Sequence, residues 1–387
     1  MEFLRNGWRP SPFHTFVLKI HSRCNLACDY CYMYESADQR WRLQPRAMPD
    51  AVIDQVAHRI AEHAARHRLP RVDVVLHGGE PLLAGRPRLE RILHAVRTAV
   101  AGTRVEFVVQ SNGLLLDDDF LRLFSRYGVR VGLSLDGDVT SHDRHRLTRS
   151  GHGSHADVVR AIGLLSREAH RGLFAGLLCT VDLDNDPVST YLALCAHNPP
   201  AIDFLLPHGN WSRPPPGLPA AGTPYADWLI PIFDLWYGTA LRRLRVRLFE
   251  QLIFLLLGRE SQIEDVGLNP VCILVVETDG SIEMSDALKS AYEGASYTGL
   301  HVGTDPFDRA LLLPPSAARQ AGLAALCATC GRCPINRVCG AGHYAHRYRA
   351  GSGFANPTVY CRDMYRLVNH ISGRLEKDIL AARRSLG

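Results

Sequence analysis

Apolar residues along the 387-residue chain keep two alternating rhythms. Short runs rich in Val, Leu, Ile and Phe recur at 13–21, 72–77, 104–110, 129–134, 174–181 and 201–206, each of strand length. Between them apolar positions return every three or four residues over 49–67, 87–100, 117–127, 154–169 and 187–196, the spacing of helices that bury one face. Strand and helix in strict alternation predict an α/β fold with a parallel sheet, and six βα units read as a (β/α)6 partial TIM barrel. In such barrels the chemistry lies at the C-terminal ends of the strands. The polar residues that close each apolar run are therefore the first candidates for function.

The rhythm changes after residue 206. Pro, Gly and Trp punctuate PHGNWSRPPPGLPAAGTP (207–224), which reads as a loop. A helical pattern returns over 225–257, where Trp228, Phe233, Trp236, Leu241, Phe249 and Phe254 form a stripe expected in a core. These breaks divide the chain into a barrel at 1–206, a bridge at 207–269 and a C-terminal domain at 270–387. The most apolar stretch, 246–257, is shorter than the roughly 18–20 residues that span a bilayer and carries Arg247, Glu250 and Gln251, so no membrane partner is expected. The opening MEFLRNGWRPSPFH has no apolar signal core, and a cytoplasmic enzyme is the expectation. About a dozen residues precede the first strand, too few for a separate leader-binding domain of about 50 or more.

With 46% hydrophobic and 21% charged residues, the chain has a sizeable core and is neither disordered nor fibrous. The net charge of +5 rests on arginine, because lysine occurs only at Lys19, Lys289 and Lys377. Apart from Arg242, Arg243, Arg245 and Arg247 the basic residues are dispersed, so no nucleic-acid partner is expected.

The placement of the 11 cysteines carries more information. In a reducing compartment they point to metal or redox chemistry rather than a disulfide framework. Cys179 and Cys195 lie in apolar runs and read as small buried hydrophobes. Cys24, Cys28 and Cys31 form C-x3-C-x2-C directly after the first strand. Three thiolates on a short loop can hold three irons of a [4Fe-4S] cube and leave the fourth open to a small molecule. A closed zinc site would need a fourth ligand, for which His21 is available. Cys327, Cys330, Cys333, Cys339 and Cys361 crowd the tail, and Cys272 stands between. Three strand ends are polar: His77-Gly78-Gly79-Glu80, Gln110-Ser111-Asn112-Gly113 and Ser134-Leu135-Asp136-Gly137. Each alone reads as a turn.

With Tyr30 as the aromatic before the third cysteine, the loop resembles the signature of the radical S-adenosylmethionine (SAM) enzymes. The resemblance implies a [4Fe-4S] cluster on Cys24, Cys28 and Cys31 whose open iron chelates SAM. It implies that Gly78, Gly79 and Glu80 hold the SAM amino group. Asn112, Ser134 and Asp136 would face its ribose and carboxylate, with Arg146 on the carboxylate. The tail, Cys330-x2-Cys333-x5-Cys339-x3-His343 and then Cys361, resembles the SPASM extension of peptide-maturing members. By that resemblance Cys330, Cys333, Cys339 and Cys361 hold an auxiliary [4Fe-4S] cluster, with a zinc ribbon as the alternative. A second auxiliary cluster would start at Cys272, but Ser285 and His343 stand where cysteines are expected. Cys272, Cys327 and His343 could ligate it, or it could be lost.

The runs 8–35, FLLPHGNWSRPP from Phe204, TDGSIEMSDALKSAY from Thr278 and NPTVYCRDMYRLVNHI from Asn356 are similar to FxsB-type maturases of FXSXX peptides. That likeness implies a radical SAM oxidoreductase acting as a peptide cyclase on a ribosomally made precursor, joining an aromatic ring to an unactivated β-carbon to form a cyclophane. A flavodoxin- or ferredoxin-like electron donor is implied with it. Asp286 would be the catalytic acid–base residue, or it would cap the helix that begins there. The alternatives are another SPASM enzyme, such as a sulfatase-maturating type that oxidises Ser or Cys, and a zinc-bound binding module with no enzyme activity.

Overall fold

The computed structural model describes residues 8–218, 221–239 and 244–386. Leu241, Arg242 and Arg243, together with the first seven residues, lie outside the described residues. The strands are β1 (Thr15–His21), β2 (Arg71–Gly78), β3 (Arg104–Ser111), β4 (Arg130–Ser134), β5 (Phe174–Thr180), β6 (Ala201–Leu205), β7 (Arg245–Val246), β8 (Ile273–Val276), β9 (Ser281–Glu283) and β10 (Tyr297–His301). Helices Asp50–Arg66, Arg86–Ala99, Asp118–Tyr127, His155–Ser166 and Pro187–Cys195 separate the first six, so the alternation expected from the apolar rhythm is present.

Local chemistry fixes the helix ends. Asp117 accepts from Phe120 N at 2.8 Å and Asp186 from Ser189 N at 2.7 Å, each satisfying an orphan amide of a first turn. Gly128, at φ +64°, closes the Asp118–Tyr127 helix in the left-handed conformation that costs glycine nothing.

The chain forms two compact units that interleave in sequence: 1–179 with 271–320, and 180–270 with 321–387. In the first, the strand order is β10-β9-β8-β1-β2-β3-β4-β5. All neighbours from β8 to β5 are parallel, while β8–β9 and β9–β10 are antiparallel. The fold is the α/β class with a parallel sheet. Val72, Val74 and Leu76 of β2 alternate with less buried residues, whereas in β1 Phe16, Leu18 and Ile20 are buried and so is the intervening Lys19. β8 and β9 form a hairpin that turns at Gly280, and β8 extends the sheet beside β1, with Leu18 opposite Val276, a pairing the apolar rhythm does not indicate.

In the second unit, β6 and β7 pair in parallel, Ala201 with Arg245 and Ile202 with Val246. This corrects the single helix expected over 225–257. The segment is two helices, Pro224–Gly238 and Arg247–Leu256, because Arg245 and Val246 leave helical geometry to complete the ladder with β6. The aromatic stripe is core: Trp228, Phe233, Trp236 and Phe249 are all buried. Cys179 is buried as expected and Cys195 half-buried. Among the described residues no helix is long and apolar enough to cross a membrane.

Candidate active site

Cys24, Cys28 and Cys31 lie on the loop that leaves β1. Main-chain bonds from Cys31 N to Cys28 O and from Tyr34 N to Cys31 O wind the loop into tight turns, and Ala27 N donates to Leu147 O. The Cys24 sulfur accepts from Leu26 N at 3.4 Å and from Asn112 Nδ2 at 3.7 Å. Burial pushes the Cys24 thiol up to about 12 and Cys28 to about 11, with Arg146 opposing the shift at Cys28. His21, the fourth ligand a zinc site would need, turns Nδ1 to the Arg23 carbonyl at 3.0 Å. An open cleft of about 470 Å³ adjoins Cys24 and is lined by Arg23, Arg46, Arg149 and Trp41.

The glycines at the end of β2 are there for packing. A Cβ on Gly78 would stand 2.2 Å from His21 O, and one on Gly79 would stand 2.4 Å from Arg23 O. The cysteine loop starts against this strand end, with Gly79 N donating to His21 O at 2.8 Å and Glu80 N to Arg23 O at 3.0 Å. Glu80 is fully buried. Its carboxylate accepts from Ser111 Oγ at 2.8 Å, Asn112 N at 2.8 Å and Leu82 N at 3.0 Å. Burial nevertheless raises its pKa to about 7. Glu80 thereby ties the end of β2 to the end of β3 and holds Asn112 toward Cys24 and Asn25.

Tyr30, Asp136 and Arg146 form one unit of charge. Asp136 Oδ2 accepts from the Tyr30 hydroxyl and from Arg146 Nε at 2.7 Å, and the guanidinium sits 5.3 Å from the Tyr30 ring centroid. Burial works to raise the Asp136 carboxyl, and Arg146 overrides it, leaving the group below its usual value. Ser134 Oγ accepts from Gln110 Nε2 at 3.1 Å. The residues at the ends of β2, β3 and β4 thus meet the cysteine loop from one side.

A buried ionic group lies across β1, β2 and the hairpin. Lys19 and His77 are register partners in the parallel β1–β2 pair. Lys19 Nζ donates to His77 Nδ1 at 3.1 Å and to Met33 Sδ at 3.4 Å, and pairs with Asp286 Oδ2 at 2.5 Å. Burial, with Lys19 adding to it, lowers His77 to about 4 and keeps the ring neutral. Asp286 stays ionised: burial opposes this, but Lys19 and then Lys289 hold its pKa below the usual value. Its other oxygen, Oδ1, is buried with no hydrogen-bond partner among the described residues. Lys289 bridges Glu277 and Glu283, the latter at 2.7 Å, and Arg40 reaches Glu283 at 2.8 Å. Asp286 therefore does not cap a helix. It is the first residue of the 3-10 turn Asp286–Ser290, with Ser285 at the cap position, and its side chain serves Lys19. Sequence reasoning missed Lys19, His77, Lys289 and Glu277. A signal was present, since two of only three lysines in an arginine-rich chain fall in this group.

The tail cysteines belong to the second unit. Cys330 interacts with Cys327, Cys361 and Cys339, and Cys339 with Cys361 and Cys333, so the five thiols lie within electrostatic reach as one group. Burial raises Cys330 and Cys339 to about 12. Cys327 thus joins the tail group, whereas His343 keeps company with His208, His346 and Glu264. Cys272, in the first unit, is buried. Among the described residues, the groups of ligand atoms within 4.8 Å of one another contain no cysteine. A single zinc ion would require sulfurs about that close or closer, whereas a cube spreads its ligands over separate irons. Three cysteines without a fourth on one loop, and a larger set in the tail, fit one SAM-binding and at least one auxiliary [4Fe-4S] cluster.

Comparison with known proteins agrees with this donor set. Residues 18–183 match the model of the Radical SAM superfamily. An uncharacterized protein of Synechocystis sp. is 28% identical over 310 residues, 76% of this chain and 74% of its own length. A cysteine-type anaerobic sulfatase-maturating enzyme of Clostridium perfringens is 27% identical over 293 residues, 71% of this chain and 74% of its own. The fold is that of native anSMEcpe with bound AdoMet and Cp18Cys peptide: TM-score 0.79, 22% identity, 94% of this chain and 98% of that one. It is also shared with Streptococcus suis SuiB bound to its precursor peptide SuiA: TM-score 0.60, 12% identity, 93% and 78%. The segment 18–183, which carries the Cys24–Cys28–Cys31 loop, is thus similar to the radical SAM superfamily, and a [4Fe-4S] cluster and SAM are the cofactors its donor set fits.

Proposed function

We propose that this radical SAM enzyme is a maturase of a ribosomally made peptide, removing a β-hydrogen and forming an aryl-to-β-carbon cross-link. The observation that carries the reading is Asp286, an ionised, buried carboxylate with one unpartnered oxygen, within electrostatic reach of Tyr32 on the cysteine loop. When bound, the reduced cluster on Cys24, Cys28 and Cys31 supplies the electron that splits SAM into methionine and a 5'-deoxyadenosyl radical. Joining a ring carbon to a β-carbon removes two hydrogens from the peptide, one as an atom taken up as 5'-deoxyadenosine and the other as a proton with an electron, for which an auxiliary cluster held by Cys330, Cys333, Cys339 and Cys361 would be the acceptor. Asp286 Oδ1 is the acceptor for that proton. Lys19 holds the carboxylate in place and ionised, and neutral His77 holds Lys19. Glu80 positions Asn112, and the Tyr30–Asp136–Arg146 unit offers its remaining donors to the SAM carboxylate and ribose.

A peptide substrate is supported by the peptides bound to the two structural neighbours. The arginine-lined cleft beside Cys24 supports an acidic electron donor of the flavodoxin or ferredoxin type. A second reading, oxidation of a Ser or Cys to an aldehyde, is favoured by the similarity to anaerobic sulfatase-maturating enzymes. Co-expression with a neighbouring-gene precursor and tandem mass spectrometry tests the first reading. A two-hydrogen loss confined to a fragment containing an aromatic residue supports it, and a hydrazide-reactive aldehyde at Ser or Cys replaces it with the second.

A further inference from the structure

We infer that the second unit holds a single divalent transition-metal ion of the zinc class on His208, His343 and His346. This site is separate from both cysteine sets. One nitrogen from each ring lies within 4.8 Å of the others. His208 Nδ1 and His346 Nε2 are 3.1 Å apart, close to the spacing of about 3.3 Å between neighbouring nitrogens around a tetrahedral ion with bonds of about 2.0–2.1 Å. The three ring centroids are 5.0–5.4 Å from one another.

The fold builds this convergence. His208 follows β6, while His343 and His346 flank the first turn of the 3-10 segment Tyr344–Arg347 and so project to one side. Glu264 Oε1 lies 3.5 Å from His343 Nε2, bringing a carboxylate to the edge of the site, where carboxylates orient ligating imidazoles or add charge. A cavity of about 20 Å³ adjoins His343 and His346 and is bordered by Asp203 and Asp265. That is room for one water or ion, at the polar edge of a lining that is otherwise mostly apolar.

Among the described residues two other clusters bring three possible ligands together, and both already have cations. Asp308 between His63 and His67 is bound by Arg66 at 2.7 Å, and Glu277, Glu283 and Asp286 are neutralised by Lys19, Lys289 and Arg40. The His208 group instead combines imidazoles with nearby carboxylates, a donor set suited to zinc, cobalt or nickel. It offers no thiolate and its nitrogens converge on a point, which suits one ion rather than an iron-sulfur cube. His343 stands four residues beyond Cys339, so the ion would fasten the turn after that cysteine to the segment after β6.

The full chain, reconstituted anaerobically with iron and sulfide, is equilibrated with zinc, desalted and analysed for metals. About one zinc per chain is expected beyond the iron, with zinc K-edge absorption reporting imidazole nitrogens at about 2.0–2.1 Å and no sulfur near 2.3 Å. His208→Asn and His346→Asn should each lower retained zinc at least tenfold while iron and sulfide stay constant. No retained zinc, or zinc bound through sulfur, overturns the site. So does a His343→Ala protein that loses four irons and four sulfides. The wild-type absorption spectrum decides the matter if the variants fail to fold.

Discussion

Lys19 Nζ and Asp286 Oδ2 meet at 2.5 Å inside the first unit, the lysine side chain 1% exposed. In a chain that otherwise uses arginine, a compact ammonium at this position leaves Asp286 Oδ1 uncovered, which a five-donor guanidinium would not. The pair sets the charge of the proposed proton acceptor. Asp286, held below its ordinary value, remains a carboxylate across pH 5–9, so the wild-type rate shows no acid limb from this group. In Lys19→Met the largest attraction on Asp286 is lost, and burial, opposed by Lys289, raises the carboxyl relative to the wild type. Product formation should then fall as the pH drops below neutrality. A pH–rate profile of peptide product on the two proteins checks this, and superimposable profiles would remove Lys19 from the mechanism.

Glu80 gives the opposite sign. Its folded pKa, near 7, lies above the unfolded value of 4.5, so the associated stability is complete below pH 4.5 and is lost as the pH rises through 7. From this group alone the protein should be about 2 kcal/mol less stable at pH 8 than at pH 5.5. Glu80→Gln should flatten that difference and weaken SAM binding through a displaced Asn112. Chemical denaturation at the two pH values measures the first effect, and equilibrium binding the second.

Arg146→Met leaves the Asp136 carboxylate buried against Tyr30 without its cation, a change expected to cost about 3–5 kcal/mol. Asp136→Asn added to Arg146→Met should recover most of that loss while SAM binding stays impaired. Recovery of binding together with stability would mean that the pair is structural only.

The tail thiols set the iron content. With one auxiliary cluster on Cys330, Cys333, Cys339 and Cys361, the reconstituted chain should carry about eight irons and eight sulfides. Cys330→Ala with Cys333→Ala should halve both counts, and Cys272→Ala should change neither. A count near twelve that falls to eight in Cys272→Ala would establish a second auxiliary cluster.

The parts written in local sequence were the legible ones. Alternating rhythms located the strands and helices of the βα repeats because each has one buried face, and the C-x3-C-x2-C loop and the Gly78-Gly79-Glu80 corner were visible through spacing and glycine. Contacts across the sheet were hidden. Lys19 looks like any strand lysine until β2 supplies His77 and the turn after β9 supplies Asp286, 267 residues away. The pairing of β7 with β6 likewise escaped, because Arg245 and Val246 sit inside an apolar helical pattern and only their partners make them a strand.

The most direct test uses a precursor peptide deuterated on the ring of its aromatic residue and on the β-carbon of the residue joined to it. A cross-link made by β-hydrogen abstraction predicts one β-deuterium in 5'-deoxyadenosine and a peptide product lacking that deuterium and one ring deuterium. A product that keeps every ring deuterium and reacts with a hydrazide would contradict the cyclophane reading.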